Sequence, residues 1–442
     1  MDDANKANDT SGQEESEQGQ FTPPSYTVPN YAPTGAPLPP PPPSQQAPYP
    51  VPGSAQYTAP DAPPQVSTRR YLIIAGAAIV AAVLSSVAFL AGGEPGKFME
   101  IGIQFAPFAI LAALAYSGVK NSVAGVFTYI WLGLLGVLVL LNALANVLLP
   151  YMGDIYSKDA TRLLKPGGVA ALLWAMLLLT IISLVSLSMF LRPVRVVMSH
   201  IMPIDPDNFV HKIALVILSL ILLSSFVPII VLGGRPPILE LVNSDAVKSL
   251  GDNSGLNVRP IDLIYQFVWM IPATIVAAGW PIARKFPAAL ERLGMVRPTL
   301  VQVGTAIGLG LGLAAFSTFV LDPGITSLWH ALGWTTTDLG AFNNLMSKVV
   351  TPVGAALVGV TAGIGEEMAV RGLLQPRIGL LASNLVFTSL HAFQYGFDGL
   401  LSVFVIGLIL GIIRSRSNTS TSAIVHGLYD FTLVLASALT GQ

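Results

Sequence analysis

Gly365-Glu366-Glu367-Met368-Ala369-Val370-Arg371 stands inside one of the most apolar stretches of the chain. Two further apolar stretches each carry one histidine: Phe387-Thr388-Ser389-Leu390-His391 and His426-Gly427-Leu428-Tyr429-Asp430. Ionisable groups at membrane depth are costly and usually face a bundle interior, a cavity or a proton path. The three segments crowd into residues 365–430, and function is to be sought there.

Composition agrees with a membrane setting. Of 442 residues, 52% are hydrophobic and 11% charged, and the mean hydropathy is +0.65. Apolar runs of eighteen or more residues recur, each reading as a transmembrane helix. The net charge of −1 gives no basic footprint for nucleic acid. There is no cysteine, which excludes disulfides, thiolate metal sites and a cysteine nucleophile together.

The first 68 residues are a different material. Residues 1–20 are acidic and polar, and residues 21–64 hold 16 of the 34 prolines, among them Pro39 to Pro43, interspersed with Tyr26, Tyr31, Tyr49 and Tyr57. Such a stretch cannot bury enough apolar surface to offset its conformational entropy, so a disordered cytoplasmic tail is expected over 1–68. It serves as a solvated spacer or docks a proline-recognising partner. No basic-then-apolar signal peptide opens the chain.

Beyond the tail the expected fold is all-α, a polytopic transmembrane bundle of about eleven spans. Apolar blocks place helices near 71–92, 99–119, 123–149, 168–191, 211–233, 262–282, 299–321, 347–377, 379–393, 399–413 and 421–440. Residues 69–345 read as N-terminal transmembrane helices of unassigned role, and 346–440 as the domain carrying the polar segments. Basic residues mark cytoplasmic loops. Arg69 and Arg70 put the tail inside a cell membrane, and Lys120, Arg192, Arg195, Arg284, Lys285, Arg292, Arg297, Arg371, Arg377, Arg414 and Arg416 complete the inner set. Loop 322–346, without Lys or Arg, falls outside; loop 149–167, with Lys158, Arg162 and Lys165, fits less well. No internal repeat is visible, which gives an inverted-repeat transporter little support.

Depth lets the three segments meet. At 1.5 Å per residue, Glu366 lies roughly 15 Å and His391 roughly 18 Å above the inner ends of their helices, with His426 and Asp430 roughly 8 and 14 Å deep. Helical phase then separates roles. Glu367 and Arg371, four apart, read as an internal ion pair of structural character. Glu366 points about 100° away. Its face carries Ala355, Gly359, Ala362, Gly363 and Ala369, a small-residue groove that suits an incoming peptide or a close helix contact. His426 and Asp430, four apart, address a common water or metal.

Ser383, Thr388 and Ser389 lie near, but no local pattern announces the base and oxyanion donors of a serine protease. A His-Glu-x-x-His helix is absent. What remains is a carboxylate, two imidazoles and a second carboxylate, suited to deprotonating a water beside a scissile carbonyl. His200, His211 and His330 lie in or beside loops, and Glu100, Asp262 and Lys348 near helix ends, with no site role expected.

These residues resemble the CPBP intramembrane proteases, which include the type II CAAX prenyl endopeptidases and bacterial Abi-like membrane proteins. The family pattern Glu-Glu-xxx-Arg, Phe-xxx-His, His-xxx-Asn/Asp matches Glu366-Glu367-Arg371, Phe387-His391 and His426-Asp430 in order, spacing and membrane setting. The resemblance spans about 346–440 and implies an endopeptidase acting on a membrane-associated protein or peptide. In it Glu366 activates water, and His391, His426 and Asp430 complete the catalytic site, with Glu367 and Arg371 supporting. Position 430 is Asp where the prenyl endopeptidases typically have Asn. Asp430 is therefore protonated, or is a histidine orienter, or joins His391 and His426 as ligands of zinc or another divalent metal. The competing reading is non-enzymatic: a scaffold working through its tail, or a proton-coupled transporter using the same buried groups.

Overall fold

In hydrocarbon every backbone N–H and C=O must be satisfied within its own segment, which makes long apolar runs helical. The structure, a computed structural model, describes residues 86–87, 90, 92–156, 166–244, 247–248 and 256–441. The tail 1–68 and most of the expected helix at 71–92 lie outside these residues. Among the described residues there is no strand, and the architecture is all-α.

Among the described residues eight helices are long and apolar enough to cross a membrane: Ser122–Tyr151, Gly167–Ser188, Phe209–Val231, Pro260–Ala277, Leu300–Leu332, Pro352–Leu390, Phe397–Arg416 and Thr419–Thr440. Gly93–Gly102 and Ala106–Gly118, bent by 45°, make a ninth if they act as one broken span. The expected eleven spans are therefore not reached among the described residues. One reason is local. The helices expected at 347–377 and 379–393 join as one segment, which turns back on itself at Gly379 (φ 82°, ψ 170°), a backbone state natural to glycine alone. The turn is proved by contact. The Arg371 guanidinium lies 4.6 Å from the centre of the Phe387 ring, whereas a straight helix would separate residues sixteen apart by roughly 24 Å. The returning arm, 380–390, is roughly 16 Å long and too short to cross a bilayer by itself.

A second correction concerns residue 322. Asp322-Pro323 reads as the end of a helix and the start of an outside loop. Instead the helix continues from Leu300 to Leu332. A π-helical turn at Ser317–Leu321 sits just before the proline, loosening the backbone where Pro323 cannot donate, and the helix closes at Gly333 in the left-handed region (φ 67°).

The site-bearing helices start on polar caps. Thr351 accepts from the Gly354 N–H ahead of Pro352, and Asn418 accepts from the Thr421 N–H ahead of the last helix. The small-residue face of the Pro352 helix turns out to be filled. A Cβ added to Gly359 would lie 2.5 Å from the Gly427 carbonyl oxygen, and one added to Gly363 would lie 2.6 Å from that of Ala423. The Gly359-xxx-Gly363 pattern is thus a helix-packing seam, occupied by the Thr419–Thr440 helix and not open to a peptide.

Candidate active site

The segment that carries both glutamates is not ordinary α-helix. After Pro352–Val360 come two π-helical stretches, Thr361–Glu366 and Met368–Leu374, with Glu367 between them. Such wider turns recur at functional sites, because they re-aim side chains that α geometry would hold elsewhere.

Glu367 is fully buried, and its carboxylate is the hub of the polar core. The Ser422 hydroxyl donates to Oε2 at 2.5 Å. Ser422 has one proton, so the longer 3.0 Å approach to the Leu410 carbonyl is secondary. His426 Nδ1 lies 3.0 Å from Glu367 Oε1, and His426 Nε2 lies 3.4 Å from Asp430 Oδ2. The expected ion pair with Arg371 is present but longer, at 3.7 Å. Arg371 is equally buried. It donates from Nη2 to the Gly407 carbonyl at 2.9 Å and lays its guanidinium on Phe387, while Nε and Nη1 find no hydrogen-bond acceptor. Its charge is balanced by the carboxylate and the ring face rather than by a full set of bonds.

Phe387 is the centrepiece on which the polar residues meet. His391 packs against it edge-on at 4.7 Å between ring centres, and His426 does so at 6.2 Å. His391 Nδ1 lies 2.9 Å from the Phe387 carbonyl oxygen. A carbonyl only accepts, so Nδ1 carries the proton and a neutral His391 presents Nε2 as a lone pair. The Tyr395 ring lies 15° from parallel with that of His391, with ring centres 6.2 Å apart.

Glu366 is placed differently from its neighbour. It is half-buried, and among the described residues no hydrogen bond or ion pair engages its carboxylate. Its charge is nevertheless felt at His426, Asp430 and Tyr395, so it belongs to the same cluster.

Several members had no clear signal in the sequence. Ser422 is four residues before His426, on the same helix face, and that spacing was the available cue. Asp322 gave only a stop signal. In the fold it accepts from Ser402 Oγ at 2.6 Å and from Ser317 Oγ at 2.7 Å, and Ser317 lies 3.2 Å from the Tyr429 hydroxyl. With the Ser317 proton committed to Asp322, the Tyr429 hydroxyl is the donor in that last contact. A fourth helix, Leu300–Leu332, is thereby tied to the residue beside Asp430.

The zinc set of His391, His426 and Asp430, one of the alternatives raised for Asp430, is not assembled. Both ring nitrogens of His426 face carboxylates, and among the described residues no three His, Asp or Glu side chains converge to hold a metal. The donors present do not fit a metal.

Comparison with known proteins bears on this same region. No curated protein and no solved structure matches the chain. A family model does, over residues 348–432, described as type II CAAX prenyl endopeptidase Rce1-like. The matched residues include Glu366, Glu367, Arg371, Phe387, His391, His426 and Asp430, and they end inside the last helix. The family is one of proteases, and the apolar helices around the match make the chain a multi-pass membrane protein. The chain carries a type II CAAX prenyl endopeptidase Rce1-like domain, consistent with a protease of the CPBP family.

Proposed function

We propose that this protein is an intramembrane endopeptidase hydrolysing a peptide bond of a membrane-associated protein or peptide, with Glu366 as the general base. The observation that carries the reading is the contrast between two adjacent carboxylates. Glu367 is saturated by Ser422, His426 and Arg371, whereas Glu366 is half-buried, unengaged by donors among the described residues, and within reach of the charge of the same histidine. A carboxylate without a structural partner at that depth is suited to take a proton.

In the proposed reaction Glu366 takes one proton from a water while the His391 Nε2 lone pair accepts its other hydrogen and orients it. The water oxygen attacks the scissile carbonyl carbon. Glu366 then passes its proton to the departing amide nitrogen as the C–N bond breaks, leaving a carboxylic acid and an amine. Asp430 orients His426. If His426 is neutral, its Nδ1–H serves Glu367 and its Nε2 accepts the proton of Asp430; if it is charged, both carboxylates are ionised acceptors. Either way Asp430 has no spare proton for an oxyanion, and its acid is a positioning group. In this reading the basic residues of the inner loops support a cytoplasmic tail and a site that opens towards the cytoplasm.

Glu366→Gln is nearly isosteric and cannot take the proton. Cleavage should fall by about 100-fold or more at unchanged abundance, read by comparative peptidomics of membranes holding the wild-type or variant protein. Retained cleavage removes Glu366 from the mechanism. A chelator arm belongs beside it: activity abolished by chelation and restored by zinc would overturn the metal-free scheme, since an imidazole would then have left its carboxylates for a metal.

A further inference from the structure

The proposed hydrolysis forms an oxyanion, and the groups placed so far leave it without a donor. Glu366 is the base, Asp430 has no spare proton, and both ring nitrogens of His426 face carboxylates. The Nδ1–H of His391 is turned to the Phe387 carbonyl. Arg371 has unbonded Nε and Nη1 groups, but the residue is 1% exposed and closed to a substrate. The Tyr429 hydroxyl is committed to Ser317. Tyr395 differs from all of these. The charges of Asp430, Glu366 and Asp322 act at its hydroxyl, yet among the described residues that hydroxyl makes no hydrogen bond. Nor is the oxygen sealed in. The fully enclosed side-chain oxygens without a partner, among the described residues, belong to Ser186, Gln375, Asn384, Thr388 and Thr419, and Tyr395 is not one of them. A phenol keeps its proton at neutral pH. The site therefore holds one donor that is protonated, unengaged and open to a small molecule.

Its position is fixed from several sides. Tyr395 lies in the link 391–396, between the returning arm and the Phe397–Arg416 helix. Its N–H donates to the His391 carbonyl at 3.1 Å, which ties the phenol to the histidine whose ring it nearly parallels. The Phe342 ring lies 5.1 Å away between centres. Gly399 leaves room for the side chain, since a Cβ there would come within 3.0 Å of Tyr395 Cβ and Cδ1. The next residue is anchored as well. The Gly396 N–H donates to Thr337 Oγ1 at 2.9 Å, and Thr337 donates to the buried Asp398 carboxylate from its N–H at 2.8 Å and its hydroxyl at 2.7 Å. A donor held in this way needs no rearrangement when charge develops, which is the condition for stabilising an oxyanion.

We infer that Tyr395 is a catalytic residue of this site, its hydroxyl donating to the oxyanion formed when water adds to the scissile carbonyl. The inference rests on the endopeptidase reading. As the water oxygen attacks, the carbonyl π pair moves onto the carbonyl oxygen, which accepts the Tyr395 hydrogen bond. When the C–N bond breaks that pair returns, the carbonyl reforms, and the amine takes the proton that Glu366 carries. Tyr395 keeps its own proton throughout.

The test follows product peptides over time in membranes holding the full-length wild type, Tyr395→Phe or Glu366→Gln, with thermal unfolding of each protein in detergent. Tyr395→Phe keeps the ring and loses only the donor, so cleavage should slow by about 100-fold or more at unchanged unfolding temperature. In a further protein Tyr395 is replaced by 3,5-difluorotyrosine, similar in size but with a more acidic hydroxyl. Its cleavage should fall away at lower pH than that of the wild type, as the phenol ionises and ceases to donate. A packing role would not produce that shift. Cleavage lost in Glu366→Gln but kept within about threefold in Tyr395→Phe overturns the role of Tyr395 and leaves the endopeptidase reading standing, against the loss that removal of an oxyanion donor brings. Cleavage kept in Glu366→Gln instead fails the reading itself, and the inference with it. Should Tyr395→Phe not fold, the fluorinated protein decides, and a pH profile that coincides with the wild type's overturns the proposal.

Discussion

Two regions of this protein handle their polar side chains differently. In the Ser122–Tyr156 and Pro166–Ser188 helices hydroxyls bond back to their own backbone, Thr128 to Ala124, Thr180 to Met176, Ser183 to Leu179 and Ser188 to Val185, while Trp131 donates across to Pro107 and Tyr129 accepts from Lys212. In the domain matched by the protease family Thr361, Ser383, Ser389 and Thr432 do the same, but a set of buried side chains also bonds across helices. Arg371 reaches Gly407, Gln375 reaches Gly411 and Ser415, Asn384 reaches Phe404, and Ser422 and His426 reach Glu367. A self-satisfied helix can face lipid and tolerate its neighbours shifting. A cross-bonded one holds its neighbours to a single register, which a water-activating site requires. The buried cross-helix network around Glu367 therefore specifies geometry where chemistry is proposed.

The largest effect that would sharpen this contrast is expected from Arg371→Ala. It leaves the fully buried Glu367 without its cation, at a cost of about 3–5 kcal/mol. Thermal unfolding in detergent should show loss of folded protein; a stable, inactive Arg371→Ala would instead give the arginine a substrate-contacting role. Gly363→Ala comes next. Its Cβ would meet the Ala423 carbonyl oxygen, so destabilisation of about 1–3 kcal/mol is expected, against little change for Gly308→Ala, whose Cβ enters open space. Equal behaviour of the two would show that the seam is not tight.

A smaller difference should separate the polar side chains themselves. Asn384→Ala removes an interhelical bond and should cost about 1 kcal/mol or somewhat more, while Thr180→Val, on an exposed helix face, should stay within about 0.5 kcal/mol. Similar losses at both sites would erase the distinction drawn between the regions. The smallest effect concerns a cap outside the spans. The Ala341 N–H and the Asn243 amide donate to Asp338 and hold its carboxyl below the ordinary aspartate value. Its contribution is therefore complete above about pH 3.9 and is lost as pH falls through the lowered folded value. Protection of the Ala341 amide, taken relative to its intrinsic exchange rate at each pH, should fall only in that acid range; a loss of protection near neutrality would point to a different cause.

Much of this was legible in residues alone. Leucine- and valine-rich runs predicted most helices to within a few residues, because hydrocarbon leaves the backbone no alternative. The polar site was legible for a related reason: Glu366, Glu367, His391, His426 and Asp430 are expensive where they stand, and expense marks them. Partner choice was not legible. Nothing in Gly359-xxx-Gly363 says whether a peptide or another helix fills the seam, and Asp322-Pro323 gave the stop signal that a preceding π-helical turn overrode. The ring of His426 looked free to bind a metal because its two carboxylates come from different places, Asp430 one turn along and Glu367 on another helix. Such facts depend on tertiary pairing, which periodicity does not encode.

The π-helical run around Glu367 has a genetic corollary. A wide turn is in effect an α-helix holding one residue too many, so the register of 352–374 depends on residue count as much as on residue identity. Deleting a single residue between 361 and 365, with the wide backbone path kept, would set everything after it back by one position, about 100° of helix. Glu367 would then stand in the open position of Glu366 and Glu366 in that of Gly365, and the saturated pocket would receive Met368 in place of its carboxylate. A single-codon deletion there should be more damaging than most substitutions, although it removes no residue with chemistry of its own.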